Sequence, residues 1–284
     1  MRSLSCVLVP PLLLALALII PSGGCGGDGP TGPDAPPQSD FFESSGARLH
    51  FVLEFPAGAP PFPAIVIGHG SGRVTTSDGA AYVPFLRERG FAVLRYDKRG
   101  AGASTGTYRG VSAANSQTQI PELGADMAAA LGYLATRPDI DATRLGLMGT
   151  SQAGWVMVDA AQRTPLARLT IAVSGSVMPI GFNIAYENLR TLPIDDAYAQ
   201  LTLFTGPPGY DPAPVLQTLR VPSLWLLGAE DRLVPTRECV RVLDGLRARG
   251  AESEYVVYPG EDHGLPGANY WPAIDAFGRV HGLF

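Results

Sequence analysis

Three stretches far apart in the chain hold residues of complementary chemistry: Ser151 in LGLMGTSQAGW, Glu230 and Asp231 in LWLLGAEDRLVP, and His263 in YPGEDHGLP. A serine hydroxyl is nearly unreactive until an imidazole accepts its proton. The imidazole works best when a carboxylate fixes its tautomer and stabilises its cation. Such a set can carry out acyl transfer through a covalent intermediate on the serine. Each set of residues lies just beyond an apolar run suited to a buried strand, EYVVYPG in the case of His263, and strand ends are where distant residues converge.

The surroundings of Ser151 sharpen this reading. An apolar run stops at Gly149, the serine follows two residues later, and a helix is expected from near Ala153 and Gly154. In a sharp strand-to-helix turn the serine is lifted above the sheet, and side chains at positions 149 and 153 would collide. Small residues are therefore required there. The pattern is GxSxA followed by glycine, one methyl away from GxSxG.

The elements that must position these residues follow from the apolar pattern. RLHFVLEFP and its neighbours up to Pro56 predict an early antiparallel pair. Continuous apolar runs begin at Ala64, Phe91, Arg144, Leu169, Pro222 and Glu254, as strands covered on both faces require. Between them, Leu123, Met127, Ala130, Leu131 and Leu134 recur at helical spacing, with Pro121 expected to open the helix and Pro138 to close it. A second helix starts after Pro235 and stops at Gly250. This alternation predicts an α/β fold, a mostly parallel sheet of about eight strands with helices on both faces. Residues 178–214 break the alternation and are expected to form a small cap over the strand ends. Phe182, Ile184, Tyr186, Leu201, Leu203 and Phe204 suggest a hydrophobic acyl pocket beneath it, or simply the packing of the cap itself.

The chain order serine, acid, histidine resembles that of the α/β-hydrolases. GHGSG from Gly68 looks like that family's oxyanion-hole turn, and DKRGAGAS at 97–104 resembles its glycine-rich turn. The resemblance runs from about Phe41 to the C-terminus. It implies an α/β-hydrolase fold with Ser151 as nucleophile, Asp231 as orienting acid and His263 as general base, the backbone N–H groups of Ser71 and Gln152 holding the oxyanion. It also implies that His69 shapes its loop. His50 and His281 are expected to be structural or solvated, and Asp97 with Arg99 to form an internal hydrogen-bonded turn. The expected activity is serine hydrolysis of a small-molecule carboxylic ester through an acyl-enzyme. A thioesterase, an amidase or peptidase, an acyltransferase and a non-catalytic binding lipoprotein are the rivals. No cofactor is implied, and the carboxylates, histidines and cysteines lack metal-ligand spacing.

Composition bounds the rest. The chain has 284 residues and a formal net charge of −5, so it offers no basic field for a nucleic acid. Arg2, the apolar stretch from Cys6 to Ile20 and the small residues after Pro21 read as an export signal over residues 1–24. The stretch is too short, and too broken by Pro10 and Pro11, to span a bilayer. SGGC at 22–25 looks like a bacterial lipoprotein cleavage box, which makes Cys25 the expected lipidated residue and residues 25–40 a flexible tether. The expectation is an exported, cell-envelope protein that meets the membrane only through this anchor. Cys239 shares a helical face with Leu243 and Leu246 and is expected to pack in the core rather than react.

Overall fold

The computed structural model describes residues 38–284. The expected signal segment, Cys25 and the tether as far as residue 37 lie outside the described residues. An eight-stranded sheet runs in the order β1-β2-β4-β3-β5-β6-β7-β8. Its first half comprises β1 (Gln38–Ser44), β2 (Ala47–Glu54), β3 (Phe62–Gly68) and β4 (Ala92–Tyr96); the second comprises β5 (Ile140–Thr150), β6 (Ala167–Val173), β7 (Ser223–Gly228) and β8 (Ser253–Tyr258). β1 pairs antiparallel with β2, and β2 with β4, while all other pairings are parallel. This is the expected α/β-hydrolase type of fold.

Successive strand side chains point to opposite faces, so a strand buried on both must be apolar throughout. All seven residues of β3 are buried. Ile65 and Ile67 pack with Val83 and Leu86 of α1 (Val83–Glu88) and with Ile274 and Phe277 of α8 (Trp271–Val280). Ala64 and Val66 face the other core, built on α2 (Ser116–Ala135), α3 (Ala153–Arg163), α6 (Ala213–Thr218) and α7 (Thr236–Ala248). In α7, Cys239, Leu243 and Leu246 are all fully buried, and burial pushes the Cys239 thiol up to about 12. That thiol is a small core side chain without thiolate character.

Two boundaries differ from the sequence reading: Gln38, Ser39 and Asp40, expected in the tether, pair with β2 as the start of β1, and the first long helix starts early. Pro121 does not open α2 but lies inside it, because the helix begins five residues earlier at Ser116. A turn upstream starts it: Asn115 Oδ1 accepts from Ser112 N, and Ser116 N donates to the Ser112 carbonyl. Ile120 and Gln119 are buried in that added stretch, and this packing outweighs the one backbone bond the proline forfeits.

The segment expected to be a cap carries α4 (Ile180–Asn188) and α5 (Ile194–Leu201) between β6 and α6. These two helices close on their own small core of Tyr186, Ala197, Tyr198 and Leu201. Gly181 lies where an added Cβ would come within 2.0 Å of the Pro207 carbonyl oxygen, so only glycine lets the 207–208 turn dock on α4.

Candidate active site

Ser151 occupies the turn from β5 into α3 at φ +57, a left-handed conformation that costs a residue with a side chain on the order of 1–3 kcal/mol. Two backbone bonds hold it there: Ser151 N donates to the Val173 carbonyl at 3.0 Å, and Gly154 N donates to the Ser151 carbonyl at 2.9 Å. A Cβ on Gly149 would lie 2.5 Å from that of Ala153 and 2.7 Å from the Gly68 carbonyl oxygen. The small residues on either side are therefore a steric requirement of the turn.

Asp231 follows β7 and His263 follows β8. The Asp231 carboxylate is fully buried and accepts from three donors: Leu233 N and Val234 N, each at 2.8 Å on Oδ1, and His263 Nδ1 at 2.9 Å on Oδ2. With Nδ1–H committed to the carboxylate, the His263 lone pair is on Nε2. The imidazole is one-fifth exposed and borders the same cavity as Ser151. Two further bonds fix its loop, from Gly264 N to Ser174 Oγ at 2.9 Å and from His263 N to Asp262 Oδ1 at 2.7 Å. Gly228 must be glycine because a Cβ there would sit 2.4 Å from the Glu261 carbonyl oxygen. Among the described residues no hydrogen bond joins Ser151 Oγ to His263, a contact that often tightens only when substrate binds.

The cavity has a volume of about 590 Å³. Ser71 and Gln152 border it, and their backbone N–H groups donate to none of the described residues. The 68–72 loop beneath them is tied down by Gly70 N donating to Asp78 Oδ2 at 3.0 Å and by the Lys98 ammonium, which donates to the Gly70 and Gly72 carbonyls. His69 is buried and donates from Nε2 to the Tyr96 carbonyl at 2.6 Å. Burial, then the Lys98 charge, push its imidazole down to about 4, so it stays neutral at ordinary pH and acts on loop shape. The apolar wall includes Val111, Trp155, Ile180, Ile184, Leu233 and Val234.

Of the six apolar residues suggested for an acyl pocket, only Ile184 borders the cavity. Tyr186 is buried and donates its hydroxyl to the Asp231 carbonyl at 2.9 Å, Phe182 meets Phe204 edge-on, and Leu203 is 76% exposed. Composition flagged them; it could not say which face of α4 turns inward. Arg99 also departs from expectation. It leaves its turn to pair with Asp126 and Glu122 of α2, while Asp97 does serve the turn, accepting from Thr76 N and Ala103 N. Sequence reading missed Asp78, Lys98 and Tyr82, whose hydroxyl bonds Thr150 at 2.6 Å. A lysine directly after an apolar strand and inside a glycine-rich run was the available signal for Lys98.

The same three residue types meet a second time. His50 Nδ1 donates to Asp97 Oδ2 at 3.0 Å, and Ser39 Oγ donates to His50 Nε2 at 2.8 Å. Ser39 lies on the edge strand β1 and is not held at positive φ, and neither it nor His50 borders the cavity. What separates the two sets is the concave surface, the strained serine and the two unengaged amides beside it. Among the described residues, no group of three or more His, Cys, Asp and Glu side chains is placed to hold a metal ion.

Comparison with known proteins shows the family and the fold. The sequence pattern of the prolyl oligopeptidase family matches residues 78–274. The acylamino-acid-releasing enzyme 1 of Oryza sativa subsp. japonica is 23% identical over 240 residues, covering 78% of this chain and 30% of that protein. Against this enzyme and its Sus scrofa counterpart the chain spans only about a third of the relative's length. The Pyrococcus horikoshii acylaminoacyl peptidase superposes with a TM-score of 0.65 at 16% identity, over 86% of this chain and 41% of that one. The acetyl xylan esterase from Paenibacillus sp. R4 superposes with a TM-score of 0.61 at 19% identity, over 87% of this chain and 83% of that one.

Proposed function

We propose, from the premise that the chain belongs to the prolyl oligopeptidase family and is a serine hydrolase, that it cleaves carboxylic esters through an acyl-enzyme on Ser151. The observation that carries this reading is the His263–Asp231 bond at 2.9 Å beside a serine held at φ +57 on one shared cavity. Ser151 Oγ attacks the ester carbonyl while His263 Nε2 takes its proton, and buried Asp231 stabilises the imidazolium. The oxygen that becomes negative is held by the amides of Ser71 and Gln152, each such donor being worth on the order of 10² to 10³ in rate. The imidazolium then protonates the departing alkoxide. Water, deprotonated by His263, attacks the acyl-enzyme, releases the acid and restores Ser151.

An ester is favoured over a peptide by the extent of the likeness, which takes in most of an acetyl xylan esterase but under half of an acylaminoacyl peptidase. The second reading is cleavage of an acylated amino acid or short peptide, favoured by the names of the curated relatives. Export and lipidation at Cys25 stay part of the proposal, resting on the sequence alone.

Charge on the cavity wall narrows the substrate. Among the described residues, the acidic side chains Asp78 and Glu187 border it and no lysine or arginine does. Acyl groups bearing a carboxylate are therefore disfavoured against neutral ones, since like charges at short range repel. The test is a panel of p-nitrophenyl acetate, butyrate, octanoate and hemisuccinate alongside acetylaminoacyl p-nitroanilides. Expected is kcat/KM for butyrate at least tenfold above hemisuccinate and above any anilide. Anilides turned over faster than every ester would make the second reading the correct one.

A further inference from the structure

We infer that Lys98 is a positioning residue for the oxyanion site, aiming the Ser71 amide into the cavity and tying it to the stretch that carries the Gln152 amide. The inference rests on the roles proposed above for those two amides. Lys98 follows β4 and is 1% exposed. Its ammonium has three protons and meets three acceptors: the Gly70 carbonyl at 2.7 Å, the Gly72 carbonyl at 2.9 Å and Gln152 Oε1 at 3.0 Å. The Gly70 carbonyl and the Ser71 N–H belong to one planar trans peptide, so they point in opposite directions. Drawing that carbonyl onto Lys98 turns the Ser71 N–H the other way. It also polarises the peptide, which strengthens the N–H as a donor. The bond to the Gln152 side chain fastens this loop to the residue immediately after Ser151, so one cation sets both amides.

A buried lysine is an expensive way to fill space, because removing a charge from water is costly and an apolar side chain of like size would avoid that cost. The groups around it do little to offset it. Asp78 acts to keep the ammonium charged, yet its carboxylate is engaged by Gly70 N; His69 stays neutral; Asp97 is taken up by His50, Thr76 N and Ala103 N; Tyr108 offers a ring face 4.5 Å from Nζ. Burial accordingly brings the ammonium down to about 8. As pH rises through that value the neutral amine keeps two protons for three acceptors and the polarising charge is lost. Hydrolysis slows on the alkaline side for that reason.

The experiment measures p-nitrophenyl butyrate hydrolysis by the full chain from pH 6.5 to 10 for wild type, Lys98→Met, Lys98→Arg and Ser151→Ala. Circular dichroism and melting temperature report folding. Expected are an alkaline fall in wild-type kcat near pH 8, a loss of about 10² in kcat for Lys98→Met with KM within threefold, and a parallel loss of affinity for an alkyl boronic acid. Lys98→Arg, charged throughout this range, shows no alkaline fall and keeps more activity than Lys98→Met. A folded Lys98→Met with kcat within threefold of wild type overturns the inference. So does a folded Lys98→Met that binds the alkyl boronic acid as tightly as wild type, and where that variant fails to fold the same two limits are read on Lys98→Gln. A Ser151→Ala variant that keeps more than a tenth of the wild-type kcat would instead remove the reading of the site on which the inference stands.

Discussion

Ser151→Ala is expected to lower kcat for p-nitrophenyl butyrate by about 10⁶, the order found when a serine nucleophile is removed from a complete triad. The loss should fall on kcat, because the cavity wall that binds the acyl group is unchanged. A residual rate of about 10³ over water should remain, since the Ser71 and Gln152 amides proposed to hold the oxyanion are untouched. Stability should change by little: alanine at φ +57 keeps the strain of the turn, and Ser151 N and the Ser151 carbonyl keep their bonds to Val173 and Gly154. A melting temperature close to wild type, together with the kinetic loss, assigns the effect to chemistry. A loss of less than tenfold would mean that another group attacks the ester.

Asp231→Asn should cost about 10⁴ in kcat. The asparagine carbonyl oxygen can still accept the Leu233 and Val234 amides that now hold Oδ1 at 2.8 Å, so the turn after β7 survives. Its amide can only donate to His263 Nδ1, which forces the ring proton to Nε2 and takes away the lone pair needed by Ser151. Geometry is preserved while the tautomer is reversed. Steady-state kinetics with a melting curve will check this. Loss of no more than tenfold would show that Glu230 or Asp262 orients the imidazole instead.

Much of this site was legible before any coordinates. Apolar runs without alternation marked the buried strands, Gly149 and Ala153 marked the turn, and the order serine, acid, histidine picked out Ser151 and His263, which border one cavity, and Asp231, which bonds the imidazole behind it. Pro235 and Gly250 bound α7 as their backbone preferences demand, the latter at φ +85. What stayed hidden depends on tertiary contact. Pro121 sits inside α2 because burial of Ile120 outweighs its local preference. Ile184 faces the cavity whereas Phe182 and Tyr186, two residues to either side, do not, a rotation of α4 that composition cannot reveal. Lys98 carries its meaning only through the peptide planes it touches. Ser39, His50 and Asp97 carry the opposite lesson, for they form the bonds of a triad on a strand edge away from the cavity wall.

The most direct measurement is covalent labelling of the full chain with a fluorophosphonate, followed by digestion and mass mapping of the modified serine. An adduct on Ser151, absent from Ser39 and abolished by prior reaction with a slow ester substrate, is the expected result. An adduct on Ser39, or ester hydrolysis that continues while Ser151 remains unmodified, would contradict it.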